Sequence, residues 1–152
     1  MDRKIIVHQF NPEIYPRKLW IVVNATNEVL DDHFEFESPL DETWINDCDA
    51  TLSLCRYRTS QLLGAVIYTK HSKFKPSSAA HEAVHFGDYI WEIIGESTRT
   101  DECFAYLVGW VVRCIEEVNN YNSSSSLDER TPELIELISQ DEYIGVNIDT
   151  KS

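Results

Sequence analysis

Basic side chains are scarce in this sequence. Lys and Arg total 13 against 26 Asp and Glu, a formal net charge of −13. Such a chain would repel a phosphate backbone or an anionic lipid surface, which argues against nucleic acid and membrane as partners. Long apolar runs are missing as well. Nothing reaches the ~20 residues of a transmembrane helix, and the opening MDRKIIVHQFN has no signal-peptide core. The four cysteines, Cys48, Cys55, Cys103 and Cys114, form no CxxC pair. Without an export signal they are expected as buried free thiols, and the protein as cytoplasmic. No internal repeat is present.

What is there is the composition of a folded protein. Hydrophobic residues make up 43% and aromatics 11%, which excludes disorder of the whole chain. At 152 residues the length fits one domain with one core.

The first half reads as strands. KIIVHQF and KLWIVVNA are rich in β-branched and aromatic residues, with Asn11, Pro12 and Pro16 between them. HFEFES alternates apolar with polar, and ATLSLCRYRT (50–59) and LLGAVIYTK (62–70) read as two strands joined near Ser60 and Gln61. Gly64 marks a bulge or a close backbone approach. The second half is helical. Pro76, Ser77 and Ser78 start a helix that Gly95 stops, and Asp101 opens another running to about Val118. SSSSLDER (123–130) reads as a polar linker, and PELIELIS begins a segment (131–152) made of a short helix and a tail. The expected class is α+β: an N-terminal antiparallel or mixed sheet packed on two buried helices, with a short C-terminal helix.

The first helix carries the chemistry. His81, His85, Asp88 and Glu92 recur at i, i+4, i+7 and i+11, one stripe on a helix that is otherwise almost entirely apolar. A helix apolar nearly all round is expected in a core, so its polar stripe needs partners or a metal. His81-Glu82-Ala83-Val84-His85 is the HExxH pattern of zinc metallopeptidases. Residues four apart stack on one face, so two imidazoles can converge on one ion. Glu82, one step round the helix, is placed to act as a general base on a metal-bound water.

The metzincin continuation HExxHxxGxxH is excluded, because Asp88 and Trp91 stand where its glycine and third histidine belong. Glu102-Cys103-Phe104-Ala105-Tyr106 resembles instead the E-x-x-A-D motif of gluzincin-type metallopeptidases, with its last residue changed. The order of motifs over about residues 65–118 is also similar to compact metallopeptidases of phages and mobile elements. The resemblance implies a minimal zincin-like domain over residues 1–122. It implies Zn2+ held by His81, His85 and Glu102, with Glu82 as catalytic base. Tyr106 stands where the family has an aspartate, and its hydroxyl would either support a ligand histidine or turn to the substrate oxyanion. Asp88 and His71 are the fallback ligands, although Asp88 is expected rather behind an imidazole, and Arg113 beside an acid such as Asp88. Sixteen residues separate His85 from Glu102, so either the helices cross steeply or the first ends early, near Gly87. Two helices with matching polar stripes are expected to face one another.

The leading expectation is therefore a zinc-dependent metallopeptidase-like protein acting on a peptide or protein substrate. By the same resemblance, the strand LLGAVIYTK is similar to the edge strand on which such enzymes lay an extended substrate. A non-catalytic interaction module with the same core is the alternative, and a metal-free polar network is the third. The oligomeric state is not indicated.

Overall fold

The computed structural model describes residues 5–96, 102–123 and 145–149. Six strands form one mixed sheet: β1 (Val7–Asn11), β2 (Lys18–Val22), β3 (Phe34–Phe36), β4 (Thr51–Tyr57), β5 (Leu63–Tyr68) and β6 (Gly145–Asp149). Their order across the sheet is β3-β4-β5-β2-β1-β6. The β1–β2, β3–β4 and β4–β5 pairs are antiparallel, while β2–β5 and β1–β6 are parallel.

The central strands are covered on both faces, which is why they read as nearly continuous apolar runs. Leu19, Ile21, Ala65 and Ile67 point into one core cluster, and their neighbours Trp20, Val22, Val66 and Tyr68 into another. The first cluster lies under α3 (Pro76–Ile94) and α4 (Glu102–Ser123). The second is closed by α1 (Asn27–His33) and α2 (Trp44–Asp47), through Leu30 and Trp44. The class is α+β, as the succession of strands and helices implies.

Local chemistry sets the ends of α3. Pro76 occupies its first turn, where a missing N–H is no loss. Gly95 adopts a left-handed conformation with φ 82°, and Glu96 N–H caps the Trp91 carbonyl at 2.9 Å. Gly64 marks a close approach and not a bulge. A Cβ there would fall on the Lys18 carbonyl oxygen of β2.

Several expectations change. α3 runs to Ile94 before Gly95, as its end signals imply, so the alternative of an early end near Gly87 falls away, and Gly87 packs closely against Phe104 and Val108 of α4. The two helices are buried only towards the sheet and each other. Val84, Ile93 and Tyr106 are exposed, as are His81 and His85. α4 continues past Val118 to Ser123, the residue at which the linker was expected to begin. Asp101, the rest of that linker and the helix expected after Thr131 lie outside the described residues. Gly145–Asp149, expected as tail, forms a sheet strand. Of the four cysteines, all free, Cys55 and Cys114 are buried, Cys48 is half-buried and Cys103 is exposed. Among the described residues no helix is long and apolar enough to cross a membrane.

Candidate metal centre and cleft

The cross-section of α3 decides where its polar residues go. Ala79, Ala83, Phe86 and Ile90 point at the sheet, and Gly87 and Trp91 meet α4 through Phe104. His81 and His85 consequently project from the outer side, one turn apart. Their Nε2 atoms converge to 3.1 Å, with ring centroids 4.7 Å apart. That separation suits an N–H···N hydrogen bond between neutral rings. It also suits a shared ion: with Zn–N bonds of about 2.0–2.1 Å it gives an angle of roughly 100°, close to tetrahedral.

Glu82 sits a third of a turn away, between that outer side and the core. Its exposure is only 5%, and burial alone pushes its carboxyl up to about 7. A carboxyl whose protonation is balanced near neutrality is suited to general-base work. It opens into a cleft of about 530 Å³ between α3 and β4, shared with His85, Asp88 and Glu92 on the helix, Glu96 just beyond the helix end and Leu52 on the strand.

The strand edge beside this cleft is partly bare. β3 pairs with β4 only at Cys55–Tyr57, and Glu37 N–H adds one bond to the Leu54 carbonyl at 3.0 Å. Hydrogen-bonding direction alternates along an antiparallel strand, so Leu52 turns its N–H and C=O to the same side as Leu54. No strand pairs with Leu52 on that side among the described residues. The open edge thus belongs to β4. The strand expected to provide it, LLGAVIYTK, is β5, enclosed between β4 and β2. A second cleft of about 370 Å³, lined by Leu40, Trp44 and Tyr68, flanks the same stretch of β4, and Thr51 borders both. The Thr51 hydroxyl is buried without a hydrogen-bond partner.

The remaining expected site residues are dispersed. Asp88 is half-buried and lines the main cleft. Glu102 lies exposed in the first turn of α4, two residues before the Phe104 that packs on Gly87. Among the described residues no three His, Cys, Asp or Glu side chains are gathered so as to hold a metal, so Glu102 is not brought to the imidazoles. Tyr106 is 74% exposed and borders a separate hollow with Ile14 and Trp110, away from the main cleft. Arg113 is exposed, and no ion pair joins it to Asp88. His71 pairs with Asp49 at 3.5 Å instead of approaching the imidazoles. The polar stripes of α3 and α4 do not face one another, because the helices meet through Gly87, Trp91, Phe104 and Val108.

Sequence reasoning missed Thr51, Leu52 and Glu96. Glu96 had no helical signal, because Gly95 ends α3 before it. Leu52 had none, because a free edge depends on where β3 stops. The fit to zinc is thus good for two imidazoles and a base, and the Glu102 assignment is carried by resemblance alone. Neither family models, nor curated proteins, nor solved structures give a match to this chain.

Proposed function

We propose that this protein is a zinc-dependent metallopeptidase-like hydrolase whose cleft accepts an extended peptide beside β4. The observation that carries the reading is the convergence of the His81 and His85 Nε2 atoms at 3.1 Å, next to a buried Glu82 that faces the same cleft. His81 and His85 would bind the ion. Zinc would supply Lewis acidity and a water of lowered pKa. Glu82 would take the proton of the attacking water and return it to the leaving amine. Leu52 would hold the peptide backbone by strand pairing, fixing the scissile carbonyl beside the imidazoles. Glu102 is the proposed third ligand and Asp88 a support for an imidazole. A cytoplasmic setting accords with four free cysteines.

A non-catalytic interaction module is the second reading. It is favoured by one observation, the absence of a gathered third donor among the described residues.

Metal content and hydrolysis separate the two. Protein purified without added metal should carry one zinc per chain and cleave members of a quenched fluorogenic peptide library. His81→Ala and His85→Ala should lose the zinc, and Glu102→Ala should weaken its retention. Glu82→Gln should keep the metal and lose about 10²–10⁴ in rate, the usual worth of a general base. Zinc without cleavage of any peptide would support the interaction module. A folded protein that takes up no zinc when supplied with it would sink both zinc readings.

A further inference from the structure

The main cleft is acidic well beyond the group assigned to catalysis. Among the described residues its lining holds four acidic side chains, Glu82, Asp88, Glu92 and Glu96, and no Lys or Arg. Glu92 and Glu96 are exposed on the rim and make no ion pair among the described residues. A partly apolar floor of Ala50, Leu52 and Leu54 lies opposite. That combination matches a long basic side chain, whose methylene stem packs on apolar surface while its head stays charged in water. A second feature also points to a ligand. Glu82 is more than nine-tenths buried and lines the same cleft.

We infer that the cleft selects a lysine or arginine side chain of its peptide, and that Glu92 and Glu96 are the residues that select it. This deepens the peptide-cleft reading and rests on it. Spacing gives the position. Glu92 lies seven residues beyond His85 on one continuous helix, about 10 Å along the axis at 1.5 Å per residue. An extended peptide rises about 3.3 Å per residue, so the basic side chain falls about three positions from the bond held at the imidazoles. A compact divalent cation is a poorer fit for the rim, since no three donors converge among the described residues.

The test uses zinc-supplied Glu82→Gln protein, which should bind peptide without cleaving it, and labelled Ala/Ser decapeptides carrying one Arg, Lys or Glu at each position in turn. Anisotropy should show tighter binding of the Arg and Lys peptides at one or two adjacent positions. Adding Glu92→Lys and Glu96→Lys should weaken these by roughly five- to tenfold, as two exposed charge pairs allow, and should favour the Glu peptides. A charge-matched control with Asp31→Lys and Asp32→Lys, exposed on α1 across the sheet, should keep the preference. Equal weakening in rim and control variants would assign the effect to the field of the whole acidic chain and overturn the inference. Peptides that bind with no basic preference overturn it while leaving the peptide-cleft reading standing. No binding of any peptide by zinc-loaded protein overturns both.

Discussion

His8 and Glu82 are both buried ionisable groups, and burial moves them in opposite directions. His8 is fully enclosed on β1, its two ring nitrogens without hydrogen-bond partners and its ring edge-on to Tyr121 at 5.4 Å. Burial lowers it from 6.5 to about 3. The unfolded chain therefore binds the extra proton between those values, so the His8 contribution is complete above pH 6.5 and is lost as the pH falls towards 3. Glu82 is raised from 4.5 to about 7. Its contribution is complete below pH 4.5 and is lost as the pH rises through 7. Between pH 4.5 and 6.5 the two slopes oppose each other. In metal-free protein, His8→Phe should make stability fall more steeply with rising pH than in the parent. Glu82→Gln should make it fall more steeply with falling pH. Each difference should be at most about 1.4 kcal/mol per pH unit, the worth of one proton. Urea unfolding in chelator across that range measures both, and variant curves parallel to the parent would rule the assignment out. Glu82 was legible in the sequence because HExxH is a local pattern. The burial of His8 was not, because it is made by Tyr121 from the far end of α4.

At the scale of elements, the strands were readable because both faces of β2 and β5 are apolar, and α3 because proline and glycine mark its ends. α1 was missed although Thr26 caps it, its hydroxyl accepting from Val29 N–H at 3.2 Å. Seven residues with one buried side chain, Leu30, give too short a pattern to show periodicity. The orientation of α3 misled for a different reason. Its outer side carries Ala80 and Val84 besides the histidines, so composition suggested burial on a side that faces solvent. Where elements touch most closely, glycines decide. A Cβ on Gly64 would meet the main chain and ring of its β2 neighbours Lys18 and Trp20, whereas one on Gly87 would meet only side chains, Phe104 at 2.9 Å and Val108 at 3.2 Å. Gly64→Ala should consequently be the more damaging change, because a backbone cannot step aside as a ring can. Gly87→Ala should cost about 1–3 kcal/mol as a modest overpacking. Thermal unfolding of the two variants compares them directly. If Gly87→Ala proved the worse, helix contact and not strand spacing would be the tighter constraint.

For the molecule as a whole, the decisive feature is that the sheet joins opposite ends of the chain. β6 lies parallel to β1 over five residues, Val7↔Gly145 through Asn11↔Asp149. Nothing local in GVNID announces this, and the polar segment before it suggested a separate tail. Parallel pairing between distant segments is set by where the sheet has an open edge, which a sequence does not display. Without β6, β1 would present a row of unpaired N–H and C=O groups beside His8, a template for pairing with other chains. The net charge of −13 works against such association by mutual repulsion. A chain truncated after residue 144 should therefore lose about 2–5 kcal/mol, the net worth of a few backbone hydrogen bonds. It should also associate more as salt is raised and repulsion is screened. Adding a synthetic peptide of residues 144–152 should reverse both effects by refilling the edge. Denaturant midpoints and light scattering at low and high salt report the two separately. An unchanged midpoint in the truncated chain, with scattering that ignores both salt and peptide, would place the last strand outside the cooperative fold.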